Sequence, residues 1–196
     1  MPRSALGDIG VRGKFAADCA ACILLRTPHT HMAPFTLFHV AISLVGIVSG
    51  FVIAFGLIGS RLSRGWTAIF LWTTLATSVT GFMFPNHGFT PAIGLGIISI
   101  LVLAPTFRAL YHTKLVGSAR WIFVVGALLA QYFNCFVLIV QSFQKISVLH
   151  DLAPTQKEPP FALAQGALLG LFVVLGVLAV KRFHPVTATS GVVVGG

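Results

Sequence analysis

Charged residues are scarce in this chain. They make up 9% of its 196 residues, whereas 56% are hydrophobic, and the mean hydropathy is +0.93. Soluble domains usually carry about 25% charged residues. A chain with so little charge cannot cover its surface against water, so we expect its solvent to be lipid. The composition therefore predicts an integral membrane protein with almost no soluble mass.

Acidic residues are scarcer still, with four Asp and Glu against 13 Lys and Arg and a net charge of +9. The positive charge thus reflects missing acids. It comes without a basic helix or another nucleic-acid-binding pattern, so we expect no nucleic-acid partner. The long apolar runs contain no Asp, Glu or Lys. This absence argues against an ion-coupled transporter or a proton pump, because those proteins usually rely on buried carboxylates.

Five apolar runs are long enough for transmembrane helices, which need roughly 20 residues each. Helices are expected because lipid offers no hydrogen-bond partner to open backbone groups. We predict an all-α polytopic integral membrane helical bundle of five transmembrane helices. The runs are Phe35–Leu57, Trp66–Phe84, Pro91–Tyr111, Trp121–Phe143 and Phe161–Val180.

The runs also predict the domain organisation. Residues 32–185 form the five-helix transmembrane domain, with a polar external loop at 144–160, and residues 186–196 form a flexible tail. Residues 1–31 are expected to be a disordered tail or an extension from a mistaken start site. Met32 stands directly before the first run, and a chain starting there would lose the basic residues that oppose the predicted topology.

Lysine and arginine predict the orientation, because cytoplasmic connections carry an excess of both. Seven such residues lie near the connections of one side and two on the other. We therefore predict a multi-pass protein of a bacterial inner (plasma) membrane. Its C-terminus is cytoplasmic, and its N-terminus and the 144–160 loop are external. The seven are Arg61, Arg64, Arg108, Lys114, Arg120, Lys181 and Arg182, and the two are Lys145 and Lys157.

Polar side chains from four runs lie within about one helical turn of the same depth below the external side. One interpretation is a shallow pocket, covered by the loop, that hydrogen-bonds a small amphipathic ligand or a lipid headgroup. The other is that these groups bond helices to one another. The external turn, the loop and the lower part of the fourth run add further candidates. Together the candidate ligand-binding residues are His39, Thr80, Asn86, His87, Asn134, Gln141, His150 and Gln165.

No arrangement of a nucleophile and a base stands out, so we assign no catalytic residues. The prediction is a non-enzymatic accessory subunit, or a binder of a small amphipathic ligand or lipid at the outer polar layer. One alternative is a redox protein that binds haem b or a quinone, because histidines occur near both ends of the spans. A second alternative is a transporter or channel for an uncharged solute.

A metal site near the N-terminus is a weaker possibility. Cys19-x2-Cys22-x6-His29-x-His31 supplies the ligand types of zinc, but the spacing is not that of a standard finger, so we assign no metal. Small residues recur four apart at Gly46/Gly50 and at Gly166/Gly170. Such faces let helices approach closely. They predict a packed bundle and a homodimer or a larger membrane complex within the lipid bilayer.

Three segments carry a resemblance to known proteins. The run FHVAISLVGIVSGFVIAFGL, the segment TSVTGFMFP and the loop SFQKISVLHDLAPTQKEPPF together resemble a group of small bacterial multi-span integral membrane proteins of unknown function. The resemblance covers most of Pro34–Pro185 and omits residues 1–31. It implies no activity, so it transfers no site residue to this chain.

Overall fold

The computed structural model describes residues 32–84 and 91–184. The predictions for residues 1–31 and 186–196, and for Asn86 and His87, lie outside these ranges. The described helices are α1 (Met32–Ile58), α2 (Arg64–Phe82), α3 (Pro91–Phe107), α4 (Ala119–Lys145), α5 (Ser147–Leu152) and α6 (Pro159–Arg182), and a π-helical turn (Arg108–His112) continues α3. No strand occurs in the described ranges, which confirms the all-α prediction.

The chain divides into two units after Phe38, and the helical bundle belongs to the second unit, His39–Gly196. Within the described residues, four helices are long and apolar enough to cross a membrane, so they indicate a multi-pass membrane bundle. These segments are Pro34–Ile58, Pro91–His112, Ala119–Lys145 and Pro159–Arg182. The segment α2, predicted as the second span, is not among the four. It has 19 residues, and hydroxyl side chains interrupt its apolar sequence at Thr67, Thr73, Thr74, Thr77, Ser78 and Thr80.

The central helix of the bundle is α4. It contacts α2, α3 and α6, and it is more buried than any other of the four candidate spans. Phe123 and Val124 of α4 are almost fully buried in a cluster with Leu71 of α2 and Leu103 of α3. A second cluster joins α4 to α1 and α6 through Ile47, Cys135 and Phe172. The buried face of α4 therefore contributes side chains to both clusters of the core.

Two glycines allow close approach between helices. A Cβ built on Gly126 of α4 would lie 2.0 Å from Oγ1 of Thr106, so α3 packs directly on the α4 backbone. A Cβ on Gly50 of α1 would lie 1.9 Å from Oε1 of Gln131, so the Gln131 amide occupies the space that a side chain would fill. A larger residue at either position would therefore displace the facing side chain, Thr106 or Gln131.

Three parts of the chain meet at one end of the bundle. Oγ of Ser60, in the α1–α2 connection, donates to the carbonyl of His184 at 3.0 Å and accepts the His184 amide at 2.9 Å. The Arg120 guanidinium, at the start of α4, donates to the carbonyl of Phe183. We call this the basic end, because it carries Arg61, Arg64, Lys114, Arg120, Lys181 and Arg182. The opposite end, which carries the α4–α6 connection, is the loop end.

The α4–α6 connection folds back against its own helices. Ala153, just after α5, is fully buried. Nε2 of Gln156 donates to the carbonyl of Val140 at 3.2 Å. Below these contacts Phe143 and Phe161 meet edge to face, with ring centroids 5.4 Å apart. The connection is therefore an ordered cap on the ends of α4 and α6.

Glu158 organises the last turn of this connection. Its carboxylate accepts from the Thr155 amide at 3.2 Å, the Thr155 hydroxyl at 2.9 Å and the Lys157 amide at 3.0 Å. Desolvation alone would raise the pKa of Glu158, but hydrogen bonds from its own amide, from Thr155 and from Lys157 lower the pKa below its ordinary value. A charged carboxylate directly before α6 also suits the positive end of the helix dipole.

Candidate functional site

His39 and Thr80 form the centre of the candidate site. His39 lies about two turns into α1 and Thr80 lies about half a turn before the end of α2, both at the loop end. Nδ1 of His39 is 2.7 Å from Oγ1 of Thr80. The two residues were predicted from depth alone, and the structure brings them into direct contact. Both side chains are half-buried.

The surroundings of Thr80 assign the tautomer of His39. Oγ1 of Thr80 donates within α2, at 2.7 Å from the carbonyl of Ala76 and 3.2 Å from that of Thr77. A hydroxyl has one hydrogen, so Thr80 accepts from His39 rather than donating to it. The proton of the neutral imidazole is therefore on Nδ1. Nε2 is left with a lone pair that accepts a hydrogen bond or coordinates a metal.

Two neighbours fix the plane of the His39 ring. Phe84 meets it edge to face, with ring centroids 5.1 Å apart and an interplanar angle of 86°. A Cβ built on Gly81 would lie 3.9 Å from Cε1 of His39, so the ring also lies against the α2 backbone. Among the described residues, none donates a hydrogen bond to Nε2. His39 is thus held in one orientation with one nitrogen available.

A polar seam continues below this pair between α1, α2 and α4. One turn below Thr80, the buried hydroxyl oxygen of Thr77 has no hydrogen-bond partner among the described residues. One turn further, Nδ2 of Asn134 donates to Oγ1 of Thr74 at 3.0 Å. Gly46 of α1 lies over this pair, since its Cβ would be 3.6 Å from Oγ1 of Thr74. The candidate residue Asn134 therefore bonds α4 to α2, below the His39 level.

Gln131 closes the seam in the middle of the bundle. Its side chain is 1% exposed, and its Nε2 donates to the carbonyl of Ile47 at 2.9 Å and to Sγ of Cys135 at 3.6 Å. Its Oε1, which lies against Gly50, has no hydrogen-bond partner in residues 32–84 and 91–184. Asn134 and Gln131 therefore hydrogen-bond between helices, as the second interpretation of the polar layer predicts.

The remaining candidates lie apart from His39. Nε2 of Gln165 donates to the carbonyl of Phe136 at 3.4 Å, which joins α6 to α4. Gln141 and His150 are exposed. Gln141 does not share the buried face of Gln131 because ten residues at 100° each leave it about 80° further around α4.

Sequence reasoning missed Thr74 and Thr77. The signal was present, because hydroxyl residues recur at intervals of three and four along α2, which places them on one helical face. The prediction considered only residues near the external end of each run, so it included Thr80 and omitted the threonines further along α2. The seam that they form is continuous with the His39 pair.

Metal and cavity features do not converge on this site. In residues 32–84 and 91–184, no group of three or more His, Cys, Asp or Glu side chains is arranged to hold a metal ion. Cavities of about 120 and 360 Å³ lie at the basic end. None of the candidate residues that the structure describes lines either cavity.

The glycines of the predicted interfaces have different environments. Gly46 and Gly50 face α2 and α4 inside the bundle. A Cβ on Gly166 or Gly170 would meet nothing within 4 Å, so this face of α6 is open.

The chain was compared with known proteins at the levels of sequence and structure. It matches no protein-family model, no curated protein sequence and no solved structure.

Proposed function

We propose that the chain is a non-enzymatic membrane protein with five transmembrane helices that binds a small amphipathic ligand through His39 at its outer side. The observation that carries the proposal is the His39–Thr80 pair, which orients an imidazole and leaves Nε2 as an acceptor. A ligand for this nitrogen must offer an O–H or N–H donor. A lipid headgroup hydroxyl or a hydroquinone fits this requirement.

The fifth span in this proposal is α2. Its 19 residues give a length of about 28 Å, close to the roughly 30 Å of a bilayer core. Three of its hydroxyls need no external partner, because Thr67, Thr73 and Ser78 donate to backbone carbonyls of the preceding turn at 2.7–3.0 Å. This internal bonding lowers the cost of burying a threonine-rich helix in lipid. Contacts with α3 and α4 also support a position inside the bundle.

The orientation follows from the basic end. Its lysines and arginines lie on connections that the Ser60–His184 and Arg120–Phe183 hydrogen bonds hold together. The positive-inside rule favours a cytoplasmic location for this end and an external location for the loop end. A bacterial inner membrane remains the proposed location.

Cysteine labelling tests both the fifth span and the orientation. Arg61→Cys and Met83→Cys are introduced separately into a variant whose native cysteines are serine. Both positions are exposed and they flank α2. We expect a membrane-impermeant maleimide to label Met83→Cys from outside intact cells, and Arg61→Cys only in inverted vesicles. Labelling of both positions from one side would contradict the crossing of α2, and a reversed pattern would contradict the orientation.

The ligand proposal is tested with His39→Ala and a matched control. His150→Ala removes another histidine of the loop end, but that side chain is exposed and outside the His39 pair. Purified protein is titrated with a short-chain hydroquinone, and the molecules that co-purify are identified by mass spectrometry. We expect His39→Ala to weaken hydroquinone binding roughly tenfold, as loss of one buried hydrogen bond implies, and His150→Ala to have no effect.

Thr80→Val adds a test of the assigned tautomer. Valine keeps the shape of threonine but cannot accept a hydrogen bond from Nδ1 of His39. The imidazole ring therefore loses the contact that orients it. We expect weaker binding with an unchanged fold, measured by the same titration and by the melting temperature in detergent. Equal binding in wild type, Thr80→Val and His39→Ala would overturn the proposal.

Haem is a second candidate ligand for the same nitrogen. Metal-ligating histidines commonly donate their other ring N–H to a neighbouring oxygen, and Nδ1 of His39 does so towards Thr80. A reduced-minus-oxidised spectrum of the purified protein tests this candidate. A stoichiometric haem signal that is lost in His39→Ala would favour haem, and a colourless protein would exclude it.

A further inference from the structure

The cations of the basic end have no acidic partner among the described residues. The two described carboxylates, Asp151 and Glu158, both lie in the α4–α6 connection at the loop end. Arg64 and Lys114 are exposed at the basic end. Their charges are therefore available to an anion from outside the described chain.

Arg64 and Lys114 line the same cavity. It has a volume of about 360 Å³ and lies between the start of α2 and the residues around the π-helical turn. This volume lies within the usual range of ligand pockets, roughly 300–1,000 Å³. The remaining walls are apolar or aromatic: Leu62, Leu110, Tyr111 and Leu115. The cavity thus combines two positively charged side chains with an apolar and aromatic lining.

The backbone of this wall has an unusual conformation. Residues Arg108–His112 form a π-helical turn, and the next turn places two non-glycine residues in the left-handed region, Lys114 with φ 46° and Leu115 with φ 62°. Such residues have a strained backbone and cluster at functional sites, as π-helical turns also do. The Leu115 amide, which donates to the carbonyl of Ala109 at 3.0 Å, helps to hold the turn. Both strained residues line the cavity.

An aromatic strip leads from the cavity along the outside of α2 and α3. Tyr111 stacks on Phe107 with ring centroids 5.9 Å apart, and Phe107 meets Trp72 edge to face at 5.3 Å. Trp72 is eight residues from Arg64, or about 12 Å further along α2. Tyr111 and Trp72 are both more than half exposed. The strip is therefore an apolar surface that begins at a cationic cavity and continues towards the membrane interior.

We propose that this cavity binds the phosphate of an anionic phospholipid headgroup, with the acyl chain lying along the aromatic strip. Arg64 and Lys114 contact the phosphate, and the Tyr111 hydroxyl is a further donor within the cavity. Charge complementarity favours an anion, and the strip favours a lipid over a free phosphate. The site lies at the opposite end from His39, so the proposal does not depend on the function proposed above.

The experiment compares the full-length chain in neutral detergent with two charge-matched double variants. Arg64→Gln/Lys114→Gln removes the two cations of the cavity. Lys181→Gln/Arg182→Gln removes two cations of the same end, in the last turn of α6, that do not line the cavity. Binding of phosphatidylglycerol is measured by native mass spectrometry, and melting temperatures without lipid check that each variant is folded.

Wild type is expected to bind phosphatidylglycerol in preference to phosphatidylcholine. Arg64→Gln/Lys114→Gln should weaken that binding at least about tenfold, since each cation near an anionic headgroup contributes on the order of 1 kcal/mol. Lys181→Gln/Arg182→Gln should retain it. Equal losses in the two variants would show diffuse charge attraction and would overturn the proposal. Equal binding of the two lipids by wild type would overturn it as well.

Two water-soluble probes separate a lipid from a free phosphate. Inorganic phosphate and glycerophosphoglycerol carry the anion without acyl chains. We expect neither to displace phosphatidylglycerol at millimolar concentration, because neither contacts the strip. Displacement by either probe would overturn the lipid part of the proposal.

Discussion

Gly126→Ala is expected to lower the free energy of unfolding by about 1–3 kcal/mol or more, the range for overpacking a well-packed interior. The new methyl group would lie 2.0 Å from Oγ1 and 3.2 Å from Cβ of Thr106. Thr106 is fully buried, and its hydroxyl donates to the carbonyl of Val102 at 2.7 Å. A β-branched side chain has few alternative rotamers in a helix, so α3 itself must shift.

Unfolding by sodium dodecyl sulfate in mixed micelles measures this effect. Gly176→Ala in α6 is the matched control, because nothing lies within 4 Å of its built Cβ. That variant should be neutral or slightly stabilising, since alanine is the better helix former. Thr106→Ala in the Gly126→Ala background should recover part of the loss, because it removes the closest atom. Equal stabilities of Gly126→Ala and Gly176→Ala would refute the close approach of α3 and α4.

Gly50→Ala is expected to cost about 1–3 kcal/mol for a different reason. Its methyl group would overlap the Gln131 amide, with built distances of 1.9 Å to Oε1 and 2.3 Å to Cδ. The amide would have to leave its position and give up its hydrogen bond to the Ile47 carbonyl. Gln131 is 1% exposed, so the displaced amide stays buried without its partner, which is the costly case.

A double-mutant cycle separates this explanation from general helix effects. Gly50→Ala should cost clearly less in a Gln131→Ala background, because the overlapping amide is gone. Gly170→Ala, whose built Cβ meets nothing within 4 Å, serves as the control and should be close to neutral. Additive effects of Gly50→Ala and Gln131→Ala would contradict the assigned contact.

Length and hydropathy were sufficient to predict most of the helical architecture. Four of the predicted runs correspond to the candidate spans formed by α1, by α3 with its π-helical turn, by α4 and by α6. In lipid, a run of roughly 20 apolar residues satisfies its backbone hydrogen bonds by forming a helix. The helix ends were predicted less well. The fourth run was predicted to end at Phe143, whereas α4 continues to Lys145 and α5 follows within the connection. Polar residues at a membrane surface continue a helix as readily as they end it.

The basic end shows a different limit of sequence reasoning. The π-helical turn and the left-handed Lys114 and Leu115 have no sequence signature, because glycine or asparagine is the usual residue at such φ values. Local propensity therefore predicts none of this geometry. The cavity arises where packing of α3 and the α3–α4 connection overrides that propensity.

For the candidate site, the position of a residue along its helix was predictable, but the direction in which its side chain points around the helix axis was not. Counting residues from the ends of the runs correctly placed His39 and Thr80 at one level, and the structure joins them. The same counting put Gln141 in the layer, although that side chain lies on an exposed face of α4. Hydroxyls and amides also have alternative partners, so the pairing of Asn134 with Thr74 could not be chosen without the three-dimensional packing.

The hydrogen bonds between Ser60 and His184 have a consequence for biosynthesis. They join residues 124 positions apart, one in the first connection and one after the last helix. A ribosome that delivers helices in order completes the α1–α2 hairpin long before α6 emerges. The hydrogen bonds that close the basic end therefore form only after α6 has been synthesised. A truncated chain that lacks α6 and the residues after it also lacks the partners of Ser60 and Arg120, so the contacts of the basic end cannot form.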